Sequence, residues 1–415
     1  AAGRLFSGTI KLGDNMYMNQ AKKDVRIQQV SIYKGAHRVL IDSVPAGNII
    51  GLVGLKGVYA GETLSTAPME TFEALKHLFD PVVTKSISVK NPADLTKLID
   101  VLKHVAKEDP SIKVDINEET GENLISGMGE LHLEIIENRI KTEKGLTVNT
   151  SPPIVVYREA IQKLSPEGEG KSPNKHNRLY FTVEPLPENI KETIKAGELP
   201  EMRLRQKDNA TYQKIIDLGI PTKDAKNWRE IFRGNVLIDA TRGIVHIGEI
   251  ISMVMDGFEE AMNKGGLAQE PCMNMMVKLK DCKLHEDAIH RGPAQMLPAI
   301  REGIREAIRN ANPLLYEPLQ ELQIECPAEY MGTMSSLVQN KRGQLRSMDQ
   351  EGEQLVIKAL IPVAELIGWS SELRSATSGR GNSFVIDQKF DKLPESLQQK
   401  IITQIRTRKN LGVNE

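Results

Sequence analysis

Apolar and polar positions alternate in short runs over residues 1 to about 79, in "RLFSGTI", "VRIQQVSIY", "IIGLVGL" and "ETLST", and glycine breaks the runs. A period of two sends successive side chains to opposite faces of a strand, so these runs predict short, half-buried strands. The pairs Gly13-Asp14, Ala46-Gly47 and Ala60-Gly61 supply turns between them, and the spacing predicts a small all-β barrel. The chain opens at Ala1 directly in a strand-like pattern, without an initiator methionine, and reads as a fragment whose barrel lacks part of its first hairpin.

From Pro81 the rhythm becomes strand, helix, strand, strand, helix, strand. "VVTKSISVK" is followed by Asn91-Pro92, a capping residue with proline at the expected first helical position, and then by Leu95, Leu98, Ile99, Leu102 and Val105 at helical spacing. "SIKVDINEETGENLISG" predicts a hairpin around Thr120-Gly121, Leu133, Ile136 and Ile140 predict a second helix, and "LTVNTS" predicts the closing strand. That order is the split βαβ, ferredoxin-like unit. It recurs in "LQELQIECP", a helix from 330 to about 340, "QLRSMDQ", "EQLVIKALIPV", a helix from about 366 to 375, and "NSFVIDQKF". "SGRGN", at 378–382, reads as a glycine cap closing the last of these helices.

A different domain lies between the two copies, entered through the stiff linker Ser151-Pro152-Pro153. Its pattern predicts strands at "IVVYREAI" and "RLYFTVEP", a polar helical stretch over 188–217, a strand at "NVLID" and a helix carrying Ile250, Ile251, Val254, Phe258 and Ala261. A strand at "MNMMVKLKDCKL" and a helix carrying Leu297, Ile300, Ile304 and Ile308 complete it. After Leu393-Pro394 an amphipathic helix carries Leu397, Ile401 and Ile405 and ends in basic residues. A lone helix needs a surface for its apolar face, and the middle domain is the expected one.

The 415 residues exceed what one compact core holds, and 40% apolar with 26% charged residues suits a folded, multidomain α+β chain. Aromatics at 4% exclude a surface built of base-stacking platforms. Lys+Arg 54 against Asp+Glu 55 gives a net charge of -1, so any nucleic-acid contact must come from local basic patches. Cys272, Cys282 and Cys326 are too few and too far apart for a disulfide framework or a zinc site, and fit a reducing compartment. No apolar run approaches the ~20 residues of a membrane span and no signal-peptide pattern opens the chain, so a soluble, cytoplasmic protein is expected.

The densest polar cluster is "LHEDAIHRGPAQ", which follows one predicted strand and precedes a helix. It sets His285, Asp287 and His290 within six residues, with Arg291 and Gly292-Pro293 behind them. Three readings stay open. His285, Asp287 and His290 form a metal site or metalloenzyme centre; the segment is a capped polar turn; or the loop presents one imidazole to RNA. A second loop, "SPNKHNR" at 172–178, offers Lys175, His176 and Arg178 to phosphate oxygens, against the plainer reading of a solvated charged loop. No G-x-x-x-x-G-K-[ST] occurs, and "GLVGLKG" lacks its spacing, so GTP hydrolysis is not expected of this chain. No nucleophile elbow supports a Ser-His-Asp or Cys-His arrangement.

"GRLFSGT", "AGNIIGLVG", "SGMGELHLE", "SPPIVVYRE", "SPNKHNRL", "NVLIDATRG", "LHEDAIHRG", "EYMGTMSSLVQNKRG" and "LRSATSGRG" resemble, in order, landmarks of archaeal and eukaryotic translation elongation factor 2. The resemblance covers essentially the whole chain. It implies a translation-factor β-barrel at 1–79, a ferredoxin-like domain at 80–152 and an elongated tip domain at 153–313, of a fold shared with a small-subunit ribosomal protein. A second ferredoxin-like domain at 314–392 and a C-terminal helix at 393–415 that returns to the tip domain complete the expected set. In "SGMGELHLE" most residues read as helix packing, with His132 solvated or satisfied.

The resemblance also implies a job. The family promotes GTP-dependent translocation of tRNA and mRNA on the ribosome, with GTP and Mg held in a domain that this chain lacks, so no cofactor is expected here. It implies that His290 is converted to diphthamide, and that His285, Asp287, Arg291, Lys283, Lys175, His176 and Arg178 form the ribosome-contacting tip. Expected partners are the ribosome, through rRNA and the tRNA–mRNA duplex of the decoding centre, and the diphthamide-synthesis enzymes, with a monomeric chain. "HRGPAQ" departs from the glycine-rich run usual in eukaryotes and favours an archaeal source. An unmodified imidazole, with a pKa near ~6.5, is mostly neutral and short, whereas an arm with a fixed cation adds charge and reach toward phosphates. A spliceosomal or ribosome-maturation relative of the factor is the rival that keeps the architecture.

Overall fold

The computed structural model describes residues 1–35, 37–58, 60–72, 81–116, 123–205, 207–244 and 246–412. They fall into two units, Ala1–Ile154 with Leu366–Gly379, and Val155–Glu365 with Arg380–Glu415. Among the described residues no helix is long and apolar enough to cross a membrane.

In the first unit, three small antiparallel sheets enclose one core of Ile10, Met16, Ile27, Val30, Val44, Ile50 and Leu52. These are the inward positions of the alternating runs, as the period of two requires. The next sheet contains Val83–Val89, Lys113–Ile116, Asn123–Gly127 and Val148–Thr150. Numbered in chain order, these strands stand 2-3-1-4 across the sheet, every pairing antiparallel, which is the ferredoxin-like order. The helix Leu95–Glu108 buries Leu98, Val101, Leu102 and Val105, and Glu130–Lys144 buries Leu133, Ile136 and Ile140.

Two local details differ from the pattern-based expectation. Pro92 opens a 3-10 turn, Pro92–Asp94, rather than the α-helix itself, which begins at Leu95; Asn91 Oδ1 accepts from Ala93 N–H at 3.2 Å. The expected turn at Thr120-Gly121 lies outside the described residues, although Ile116 and Asn123 on either side pair in register. His132 is satisfied, its Nδ1 accepting from Met128 N–H at 3.3 Å and its Nε2 lying 3.0 Å from Asp109 Oδ2.

In the second unit, Pro313–Pro327, Gln344–Glu351, Gln354–Pro362 and Asn382–Lys392 repeat the 2-3-1-4 order, and Arg158–Ile161 adds to the early part of Pro313–Pro327. The helix Met331–Asn340 follows a 3-10 turn, Ala328–Tyr330. Trp369–Ala376 falls in the first unit, where Gly368 N–H donates to Glu130 Oε2 at 2.7 Å; it ends in the expected cap, with Gly379 at φ +80° and its N–H on Arg374 O at 2.7 Å. The multidomain α+β class, with two ferredoxin-like units, is therefore borne out.

The sheet that carries the two chemically interesting loops runs Gly168–Lys171, Arg178–Pro185, Met275–Lys283, Asn235–Asp239, Trp228–Phe232 in spatial order. Only the pairing of Asn235–Asp239 with Met275–Lys283 is parallel. Alternation decides its two faces. Leu179, Phe181, Val183, Val277 and Leu279 pack against the helices Ile247–Asn263 and Pro293–Asn310, whereas Val236, Ile238, Met276 and Trp228 pack with Ile190, Tyr212 and Ile215 on the other side. The polar stretch 188–217 is two helices, Glu188–Lys195 and Asn209–Asp217, rather than one. Gly197 at φ +75°, followed by Pro200, breaks it.

The C-terminal helix Glu395–Arg408 is fixed at its basic end to the segment 267–270. Arg406 Nη1 donates to Leu267 O at 2.8 Å and Lys409 Nζ to Ala268 O at 3.2 Å, while Lys409 and Arg408 pair with Glu270 at 2.7 and 3.3 Å. Cations at a helix C-terminus also meet its dipole favourably.

Backbone against backbone sets the position of Pro293–Asn310. A Cβ on Gly170 would stand 1.8 Å from Ala299 O, and one on Gly168 would stand 2.4 Å from Gly303 O, so the strand lies directly against the helix backbone. Gly170→Ala should destabilise this domain by roughly 2 kcal/mol or more, the cost of forced overpacking. Urea unfolding followed through the buried Trp228 should show the lowered midpoint; an unchanged midpoint would mean the helix shifts at no cost.

Candidate functional site

Arg178 pairs with Lys283 in the antiparallel register of their strands. The loop that ends at Arg178 and the loop that begins after Lys283 therefore leave the sheet at the same end, although Asn177 and His285 are 108 residues apart in sequence.

Each loop is closed by its own short-range chemistry. In 172–178, Lys175 N–H donates to Ser172 O at 2.7 Å, Asn177 N–H donates to Ser172 Oγ at 2.9 Å, and Lys175 sits in the left-handed region at φ 62°. In 284–292, Asp287 caps the 3-10 turn Ala288–Arg291, its Oδ1 accepting from Ile289 N–H at 3.1 Å, and Gly292-Pro293 then starts the long helix.

One buried side chain joins the loops and another braces the second of them from within. Asn177, with no exposed surface, donates through Nδ2 to His290 O at 2.7 Å and accepts at Oδ1 from His285 N–H at 2.9 Å. Arg291, 5% exposed, donates to the carbonyls of His285 and Glu286, the latter at 2.7 Å, and to Glu249 Oε2 at 2.6 Å. The Arg291 hydrogen bond, with help from His246, holds the Glu249 carboxyl below the usual carboxylate range. Gln295 adds a second tie to the loop 172–178, its Oε1 accepting from Asn174 N–H at 3.0 Å.

Three imidazoles meet as a result. The His176 ring stacks on His290 at 4.7 Å between centroids and 13° between planes, and His285 meets both edge-on, at 4.9 Å from His176 and 4.5 Å from His290. His176 is exposed and the other two are half-buried. Ile289, beside them, is 80% exposed.

The remaining expected site residues divide into groups. Lys175 and Lys283 are exposed. Arg178 is exposed but tied to Glu169 at 3.1 Å, and Lys171 and Tyr180 share that carboxylate. Arg291 is a correction to the expected phosphate-reaching set: its guanidinium faces inward, because a buried cation is retained only where carbonyls and a carboxylate replace water. The set His285, Asp287 and His290 also needs correction as a ligand group. The Asp287 carboxylate caps the 3-10 turn, and among the described residues the group whose donor atoms lie within 4.8 Å of one another is His176, His285 and His290. Asn177, Glu249 and Gln295 carried no sequence signal beyond being polar, since their partners are distant along the chain.

Chemically, the tip offers imidazole nitrogens, a flat stacked ring pair, two exposed ammonium groups and no nucleophile with a base beside it. Ammonium groups and imidazole N–H groups are donors that phosphate and ribose oxygens accept from.

Family models match four stretches of the chain: elongation factor Tu domain 2 over residues 1–65, and elongation factor G domain III over 79–152, domain IV over 200–312 and C-terminus over 314–401. The loop 284–292 lies inside the domain IV match. The chain is similar to proteins named elongation factor 2 from three archaea. Identity is 49% over 414 residues for Thermococcus kodakarensis (100% of this chain, 56% of the relative) and 49% over 412 for Methanocaldococcus jannaschii (98% and 57%). For Nanoarchaeum equitans it is 45% over 425 (100% and 57%). The chain thus spans little more than half the length of these relatives.

Asn177→Ala removes both cross-loop hydrogen bonds and leaves a buried N–H and C=O without partners, at a cost of about 1–3 kcal/mol each. The His285 amide should then exchange with solvent markedly faster by hydrogen-exchange mass spectrometry; unaltered protection would show that the loops hold without the amide.

Proposed function

The chain belongs to the elongation factor 2 family, and we propose that its part in translation is to carry a rigid, RNA-facing tip during the movement of tRNA and mRNA through the ribosome. The observation that carries this reading is the meeting of His176, His285 and His290 on loops held from beneath by Asn177 and Arg291. A tip braced by buried hydrogen bonds can bear on a partner without collapsing, and ordering it on binding costs little further entropy.

His290 is the proposed site of the diphthamide arm. Its backbone is anchored at both N–H and C=O, the former on Asp287 O at 3.2 Å and the latter on Asn177, while its ring stays accessible. An arm with a fixed positive charge grown from that ring would project beside Lys175 and Lys283 toward the phosphates and riboses of a paired RNA. His176 and His285 flank the ring and limit its rotation. Asp287 acts through the turn it caps, and Arg291 as a positioning residue. The partners under this reading are ribosomal RNA, the tRNA–mRNA duplex and the enzymes that build the arm, in the cytoplasm. Nucleotide hydrolysis is placed outside this chain, which has no phosphate-cradling loop. The names of the matched relatives favour elongation over a spliceosomal or ribosome-maturation role.

Two measurements test the reading. Intact mass of the protein from its own host should exceed the sequence mass by the arm, whereas chain made in a bacterium should not; an unmodified native chain would remove His290 from this role. Ribosome co-sedimentation across a salt series should show Lys175→Ala and Lys283→Ala each lowering the slope of log affinity against log salt by about 1, as loss of one phosphate contact does. Unchanged slopes would return both lysines to solvated surface.

A further inference from the structure

Three imidazoles brought together from two loops also make a ligand set. All three offer a nitrogen donor within 4.8 Å of the others, and among the described residues the only hydrogen bond to any of these rings is the 3.1 Å donation from Asp287 N–H to His285 Nδ1. Among the described residues, both ring nitrogens of His176 and His290 are without a hydrogen-bond partner. Their backbones, by contrast, are fixed: His176 N–H donates to Asn174 Oδ1 at 3.1 Å, and Asn177 ties His285 and His290. Assembly of the set is thus complete before any ion arrives, and the exposed His176 ring is the one with most room to turn.

We infer that the unmodified tip is a site for a late first-row divalent cation, zinc in particular, held by His176, His285 and His290. Three neutral nitrogens without a carboxylate select zinc over magnesium or calcium, which require oxygen. At a zinc–nitrogen distance of ~2.0–2.1 Å the donors of a tetrahedral site stand about 3.4 Å apart, so the donor atoms must close by no more than about 1.4 Å while the stacked rings turn until their nitrogens converge. The exposed His176 supplies that movement by rotation. At His285 the ion either displaces the exposed hydrogen bond from Asp287 N–H or takes the opposite nitrogen. The fourth position is left to water. Bound there, the ion clips the loop 172–178 to the loop 284–292 and places positive charge at the tip. The inference concerns bare rings and does not depend on the translational reading.

The test uses the chain produced in a bacterium, stripped with a chelator and titrated with zinc chloride by calorimetry in a non-coordinating buffer. Cobalt(II) absorption gives a second, spectroscopic readout. One ion per chain with micromolar or tighter affinity is expected, and a tetrahedral cobalt spectrum should accompany it. His176→Ala, His285→Ala and His290→Ala should each weaken binding at least ~10-fold, the least that disturbing a metal site costs, while Asp287→Asn, which keeps the capping oxygen, should stay within about 2-fold. The unfolding midpoint of the metal-free His176→Ala chain, expected to be unchanged because the side chain is exposed, excludes misfolding as the cause. Absence of a one-to-one site, or binding that survives all three histidine variants and so lies elsewhere on the chain, would overturn the inference. Neither result bears on ribosome co-sedimentation, which is read without added metal.

Discussion

The side chain of Asn177 ties together two loops that the chain keeps far apart. Its amide is the one planar group that reaches the His285 N–H and the His290 carbonyl at once, with donor and acceptor both used and no water needed. A hydroxyl would supply one of these bonds at that reach, and an apolar side chain neither. Around it, Arg291 satisfies the carbonyls that the tight turn leaves unpaired, and Glu249 balances the charge this buries. The ring cluster follows from these bonds, because the rings are carried by backbone whose freedom has already been removed.

Stiffness below the tip has a different origin. The five-stranded sheet is covered on both faces, and its alternating side chains fill one core with Phe181, Phe258 and Ile304 and another with Trp228, Ile215 and Ile231. Dense packing of this kind resists bending because displacement in any direction opens voids or forces overlap. Gly168, Gly170 and Gly303 let the helix Pro293–Asn310 lie directly on the edge strand. Since that helix starts where the loop 284–292 ends, its seating fixes the loop's base. The link from packing to function is therefore short: a helix held by backbone contact aims the turn that carries His290.

Much of the architecture was legible along the chain. The switch from a period of two to a period of 3.6 and back marks both ferredoxin-like units, and neither capping nor tertiary context overrode it. Where the reading failed, local backbone chemistry won over average pattern. Pro92 starts a 3-10 turn, and Gly197 with Pro200 divides a stretch that polarity alone made continuous. The strands Gly168–Lys171 and Trp228–Phe232 carried too little apolar alternation to stand out, the first because glycine is needed for contact with the helix. At the site, residue types advertised His285, His290, His176 and the lysines as reactive or charged groups in loops. The same types misled for Arg291, whose charge is directed inward, and for Asp287, whose carboxylate is a cap.

By itself the sequence determined what is local: the alternation that makes strands, the spacing that makes helices, the turn residues, and the inventory of imidazoles and cations in two polar loops. Which of those groups meet was decided only by tertiary structure. The register that sets Arg178 against Lys283 places both loops at one end of the sheet, and burial of Asn177 and Arg291 orders them there. The physical reason is that contact between residues more than a hundred positions apart depends on strand pairing and on where water is excluded, and neither quantity is a property of any short stretch of chain.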